Sequence, residues 1–490
     1  MKTSTMTIAG ALLVSAWAVG CGGGNVEGGG PKTPGGPLDS NGNAVSTAAA
    51  NKFNAGLESL AQHDKANDWT DAICVATAQL FLDAAKEQGD KQFNEALYDA
   101  GLANQRCKKD NEAKALFKQV LDKDSKFHRA RVQLALYAYA ESGEKGLDQA
   151  ISEVRQAAVV DAQFKNVEAL VNLGMLYIKR NNKTQDQDGA TDLGRAKRFI
   201  QSALALDDAY MPAFNQLAVL YLETAKQAAG RDTKRKSSAG HSKEKKVDTQ
   251  ALELAALVCS QAIRKNNKYA PIHNTAGMIQ VELGNLNSAV GEFNNARTID
   301  PGFYEAQMNY AAVNLRFRGF GQAEEAYRGA LKIRPNDFDA HLGLALALRG
   351  AIDDSNFDKN VREAGEELTK AKTLAPERPE TYYNEAILTQ EYKAKSGKGS
   401  SNEAELLSAK KLFGDFVQKA GSLGEFADAV KRSKDRMSEI DQIIEFNKQT
   451  ETQRKAAEAD QKTKAAEAEA KGDEGGAGGE GDKKDEKKAE

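Results

Sequence analysis

The chain has 490 residues and a formal net charge of -3 with both signs abundant, which argues against a general nucleic-acid binder. Only 9 Pro occur in it, and the region from 46 to 447 shows Ala, Leu, Tyr, Glu and Lys in helical periodicity without an alternating strand pattern. An all-α fold is the expectation.

Residues 1–20 read as a targeting segment. Met1 and Lys2 open a short charged region, Ile8 to Val19 is apolar but short for a bilayer span, and Ala18-Val19-Gly20-Cys21 follows. This resembles a bacterial lipoprotein signal peptide, and the resemblance implies cleavage after Gly20 and lipid attachment at Cys21. Stable anchoring then follows from multiple acyl chains. Residue 22 is Gly, so the acidic neighbour that commonly retains lipoproteins at the inner membrane is missing. The expected location is the outer membrane, facing the periplasm.

Residues 21–45 hold the lipidated Cys and a stretch of Gly, Pro, Asn, Ser and Thr that cannot bury a core. A flexible tether of this kind has a reach of roughly 25 to 30 Å.

From 46 to 422 the chain reads as a solenoid of about nine helix pairs. Ala289, Phe293, Ala296 and Pro301 recur 34 residues later as Ala323, Tyr327, Ala330 and Pro335. Ala289 and Ala296 share a helical face with Phe293 between them, so a neighbouring helix can approach closely while the ring fills the groove. Gly277 and Gly284 take the other small positions, and Pro301 ends the second helix. These residues resemble the tetratricopeptide repeat, which implies two antiparallel helices per unit, a right-handed superhelical stack and a role in protein binding. Other markers are Leu97, Ala100 and Gly101 with Ala113 and Phe117, and Leu170, Leu173, Gly174 and Tyr177 with Ala196, Ile200 and Ala203. Leu217, Ala218 and Tyr221 pair with Ala255, Cys259 and Ala262, and Tyr382 and Ala386 with Ala409 and Phe413. Residues 46–88 are the least typical pair, as a terminal repeat should be.

Insertions interrupt the period at about 181–193, 227–248 and 394–402. The second holds Arg231, Lys234, Arg235, Lys236, Lys243, Lys245 and Lys246 against Asp232 and Glu244, a basic loop suited to anionic headgroups, an acidic partner or cell-wall polymers, or else simply solvated. Residues 423–447 read as a capping helix. Residues 448–490 form a charged low-complexity tail, helical at most to about Ala470 and otherwise disordered, because nothing there can be buried.

No acid, base or nucleophile set converges, and no phosphate loop or paired-His zinc motif is present, so the expectation is a noncatalytic protein with no cofactor and no metal. Asp186-Gln187-Asp188-Gly189, with Asp192 beyond, has part of a calcium-loop pattern, but Thr184 and Arg195 stand where acidic ligands are required. His273 and His341 both fall at the fourth place of a first helix, two repeats or roughly 20 Å apart, and read as packing residues. With Cys21 lipidated, Cys74, Cys107 and Cys259 remain. Cys74 and Cys107 lie in adjacent pairs and could approach, yet buried free thiols are the expectation.

The candidate site is a groove lined by first helices. Asn recurs at their fifth or sixth place, as Asn172, Asn215, Asn274, Asn309 and Asn384, and an amide offers donor and acceptor together to an extended peptide. Asn at the sixth place is also common in this repeat for local reasons. Leader, tether, repeats and charged tail together resemble the outer-membrane repeat lipoproteins of myxobacterial envelope machines, in particular those of the adventurous gliding-motility complex. That resemblance implies a scaffold that binds envelope proteins, motility subunits or outer-membrane β-barrels, and reaches the membrane through its lipid. A pilotin-like assembly factor for a secretin or β-barrel, and a module for envelope polysaccharide, are the alternatives.

Overall fold

The computed structural model describes residues 39, 43–66, 68–91, 93–158, 166–183, 190–232, 248–395, 402–421 and 423–473. Cys21 and the loop residues Lys234, Arg235, Lys236, Lys243, Lys245 and Lys246 lie outside them, as does the segment Asp186 to Gly189. The described chain is all-α, without a strand, and divides into two compact units that meet in sequence at Phe317 and Arg318.

The first unit runs in order through α1 (Thr47–Ala66), α2 (Asp71–Glu87), α3 (Asn94–Arg106), α4 (Asp110–Lys123), α5 (His128–Ser142), α6 (Leu147–Ala158) and α7 (Val167–Arg180). It continues with α8 (Asp192–Leu206), α9 (Met211–Asp232), α10 (Thr249–Lys265), α11 (Ala270–Glu282), α12 (Leu286–Ile299) and α13 (Tyr304–Arg316). Helices pack as hairpins, α1 on α2 through α11 on α12, and each hairpin packs on the next.

The small positions set the helix spacing. A Cβ built on Gly101 would lie 2.5 Å from Phe117, one on Gly277 2.5 Å from Phe293, and one on Gly174 2.6 Å from Ile200, so each second helix inserts its large side chain where the first helix has none. Phe117, Phe293 and Ile200 are almost completely buried, and Ala113, Ala196, Ala289 and Ala296 on the same faces are fully so. Burying such a side chain contributes about 1.5 to 3 kcal/mol.

The turn between the two helices reverses through one left-handed residue at a fixed place: Gly284 at φ 80°, Lys108 at 57° and Asn181 at 51°. Helix starts are fixed by side-chain caps where the sequence supplies them, Thr70, Asn166, Thr191 and Asp248 each accepting from a backbone N–H three residues on.

The second unit comprises α14 (Phe320–Ile333), α15 (Phe338–Gly350), α16 (Phe357–Leu374), α17 (Glu380–Glu391), α18 (Glu403–Ala420) and α19 (Ala427–Asp473). Here Tyr327 of α14 lies against Gly343 of α15, α15 pairs with α16, and α17 with α18. α19 closes the stack, burying Ile440 and Ile444 beside Leu406, Ala409 and Phe413. It does not end near 447: the helix continues to Asp473, and its described side chains beyond Asn447 are exposed. Pairs such as Glu451 with Lys455 and Asp460 with Lys464, four residues apart, support this unpacked part.

The cysteines correct the sequence reading. Cys74 and Cys107 are bonded as a disulfide with Cα atoms 6.2 Å apart, joining α2 to the residue that ends α3. Cys259 alone is free among the described cysteines, buried where Phe117 and Phe293 stand in their repeats, and burial pushes its thiol up to about 12. Of the three described cysteines, two are bonded and one is a buried thiol.

Candidate functional site

Side chains of neighbouring first helices reach across to each other and form a polar seam, some of them from the fifth and sixth places of each helix. In the first unit, Gln133 of α5 donates through Nε2 to Glu168 of α7 at 2.5 Å and lies 3.5 Å from the Tyr98 hydroxyl of α3. Its Oε1 accepts from Gln105 Nε2 of α3 at 2.9 Å. Further along, the Thr275 hydroxyl of α11 donates to Asn215 Oδ1 of α9 at 2.7 Å, and Asn309 Nδ2 of α13 donates to Asn274 Oδ1 of α11 at 2.9 Å. Gln227 of α9 donates to Asn181 at the end of α7. In the second unit, Arg349 Nη1 of α15 donates to the Asn384 side chain of α17 at 3.1 Å and to its carbonyl at 3.3 Å.

The five asparagines therefore have unequal surroundings. Asn215 and Asn274 are buried, and their amide oxygens are engaged within the protein. Asn309 and Asn384 are half-buried members of the same bonds. Asn172 is half-buried and has no side-chain partner among the described residues. Of the basic loop, Arg231 falls in the last turn of α9.

Asp99 and Gln133 occupy the sixth place of α3 and α5, in register with Asn172, and were missed because the ladder was sought as Asn alone. Register was the available signal. Electrostatics sharpen around them: burial raises Asp99 to about 7 against the pull of Arg129, and burial likewise raises Glu168. Burial takes the Tyr98 phenol above its ordinary value and the Arg349 guanidinium below its own.

The two fourth-place histidines are packing residues with added polar roles. His273 Nδ1 lies 2.7 Å from Glu292, His341 Nδ1 lies 2.5 Å from Glu367, and each Nε2 meets a carbonyl of the preceding turn, Asn267 at 3.1 Å and Pro335 at 2.9 Å. Asp192 is likewise committed, its oxygens taking Arg180 at 2.8 Å twice and Arg195 at 3.1 Å. Arg195, the residue that breaks the calcium pattern, thus helps to hold Asp192. Among the described residues no three His, Cys, Asp or Glu side chains gather as a metal site, and no helix is long and apolar enough to cross a membrane.

Stacked helix hairpins, with 34 residues between the starts of α3 and α5 and between those of α11 and α13, and with Gly101, Gly174 and Gly277 set against Phe117, Ile200 and Phe293, define a tetratricopeptide-repeat fold. No family model matches the chain, and no curated relative matches it. Solved structures similar to it include a thermophilic tetratricopeptide-repeat protein of Thermus thermophilus, at 22% identity over 45% of this chain and 99% of that one, with a TM-score of 0.36. PilF of Pseudomonas aeruginosa is 15% identical over 55% of this chain and 96% of its own, with a TM-score of 0.39. A repeat protein of Parabacteroides merdae is 14% identical over 64% and 98%, with a TM-score of 0.34.

Proposed function

We propose that this chain is a noncatalytic scaffold that holds partner proteins along the face where its first helices meet, and that lipid on Cys21 anchors it to the outer membrane on the periplasmic side. The seam carries the first half of this reading. In the first unit it gathers amides and a carboxylate on its first helices, where donors and acceptors left over from the internal bonds can meet a polypeptide main chain. The leader and Cys21, followed by a Gly-rich tether, support the second half. Within trans-envelope machines, the assembly that fits leader, repeats and tail together is the gliding-motility complex, on the resemblance described above.

The test is to crosslink the native protein in living cells, solubilise the envelope and identify the bound chains by mass spectrometry, alongside metabolic labelling with a palmitate analogue in wild type and Cys21→Ala. Motility subunits or outer-membrane β-barrels linked to first-helix residues support the scaffold. A secretin in their place reassigns it as a pilotin, and label retained in Cys21→Ala removes the lipid anchor.

A further inference from the structure

α19 uses only one of its faces to close the second unit. Toward α17 and α18 its charges are matched: Arg436 donates to Gln390 at 2.8 Å and to Glu391 at 2.7 Å, Lys410 donates to Asp441 at 2.6 and 2.7 Å, and Lys448 lies 3.1 Å from Glu403. The opposite face carries a stripe of exposed residues at every seventh position, Arg432, Glu439, Phe446, Gln453 and Asp460. Phe446, at 67%, is the most exposed large apolar side chain among the described residues, and Ile443 one turn before it is 37% exposed. Arg432 and Glu439 have no ion-pair partner among the described residues. Asp460 meets Lys464 through Oδ2 at 2.8 Å, and a carboxylate has room for a further donor on its other oxygen. One exposed Phe is ordinary on a protein surface, but the residues around this one are ordered as a self-complementary series.

Counted outward from Phe446, Glu439 and Gln453 stand seven residues to either side, and Arg432 and Asp460 fourteen. Laid antiparallel to a copy of itself about Phe446, the stripe sets Arg432 against Asp460, Glu439 against Gln453 and Phe446 against its own counterpart. Each polar contact then occurs twice, as two-fold symmetry requires. We propose that α19 pairs with α19 of a second copy of this chain in that register, so that the protein forms a two-fold dimer. A seven-residue spacing keeps the stripe on the seam when the two helices wind about each other with a left-handed twist. The guanidinium of Arg432 finds a carboxylate, the Gln453 amide donates to Glu439, and the two Phe446 rings cover one another. Parallel pairing would set Arg432 against Arg432 and Glu439 against Glu439, so charge selects the antiparallel form. A different partner protein would have no need of symmetry about one residue, which favours a second copy as the occupant. The contact is a single helix pair with a mostly polar seam, so it belongs with the small, weak and salt-sensitive interfaces. It involves neither the seam between first helices nor Cys21, and stands apart from the function proposed above.

The full chain, purified in a density-matched detergent, is sedimented from about 1 to about 100 μM beside Phe446→Ser and Arg432→Glu. The expected result is a reversible dimer in wild type and a dissociation constant at least tenfold weaker in each variant. Both substitutions lie at exposed positions, so the circular dichroism of the dilute proteins should not change. Register is read separately, with p-benzoylphenylalanine in place of Gln453. An equal mixture of light and heavy-isotope protein is irradiated, and the mixed-isotope peptides are identified by mass spectrometry. Links from that position to residues near Glu439 of the other copy support the antiparallel pair, whereas links to residues near Gln453 show a parallel one and overturn the proposal. A monomer throughout the concentration range, or a dimer that either variant leaves intact, overturns it as well.

Discussion

Asn309 on α13 donates to Asn274 on α11 at 2.9 Å, so two members of the asparagine ladder bind each other across a repeat boundary. The bond fixes the angle of both amides and leaves the Asn274 Nδ2 protons and the Asn309 oxygen to face outward or toward other groups. Truncating either residue to Ala strands the other, so a double-mutant cycle of Asn274→Ala and Asn309→Ala in urea unfolding should return a coupling of about 0.5 to 1.5 kcal/mol. Simple additivity would mean that the bond does not persist in solution.

Asp192 has 0% exposure and faces both Arg180 and Arg195. Burial pushes its carboxyl up, but Arg180, the Asn182 backbone N–H and Arg195 together hold it below its ordinary 3.8. Asp192→Asn leaves two guanidiniums facing a neutral group and should cost about 3 to 5 kcal/mol, measured by urea unfolding. A carboxylate with a depressed folded value gives stability that is complete above 3.8 and is lost as pH falls through the folded value. The gap between wild type and variant should accordingly close in strong acid.

His273 titrates in the opposite sense. Its bond to Glu292 and, less, its contact with the Asn267 carbonyl raise it above the ordinary 6.5 against the opposing effect of burial. The stabilisation is complete below 6.5 and declines as pH rises through the folded value. The difference in melting temperature between wild type and His273→Gln should be largest near about pH 6 and shrink by about pH 9. A difference that grows with pH would show that the neutral ring makes the better contact.

The Cys74–Cys107 bond closes a loop with a sequence separation of 33 and ties the first described hairpin to the second. Reduction, or replacement of both by Ser, should destabilise by about 2 to 4 kcal/mol. Hydrogen exchange should place the loss in α1 to α4, with α11 and α12 unchanged. Uniform acceleration across the first unit would mean that the terminal pair unfolds with the rest.

Lys108 and Gly284 hold the same place in their turns with φ of 57° and 80°. A side chain in this left-handed region costs about 1 kcal/mol, so Lys108→Gly should stabilise and Gly284→Ala destabilise by about that amount. Nothing lies within 4 Å of a Cβ at Gly284, so sterics do not obscure the comparison, which thermal melts can make directly.

Periodicity made the hairpins legible where a hairpin keeps its markers. Gly101 with Phe117 and Gly277 with Phe293 announce a close helix pair because a missing side chain and a ring that fills its place are both visible in sequence. The pair α5 and α6 gives no such notice: Ala135 and Ile151 stand at the same places, both buried, with side chains that are ordinary in any helix. The site was harder to read. Gln133 and Glu168 stand 35 residues apart, and only the packed backbone decides that they meet. The disulfide was obscured by counting, since an odd number of thiols says nothing about which two are adjacent.

Between residue 448 and Asp473 the charged end of α19 advances at about 1.5 Å per residue, close to 40 Å in all, with no described side chain buried along the way. It extends from the buried Ile440 and Ile444 and carries exposed ion pairs four residues apart, each adding a little to the stability of the helix. Salt screens those pairs and leaves the burial of Ile440 and Ile444 untouched. Helix content beyond Asn447 should therefore fall with ionic strength while that of the packed part does not.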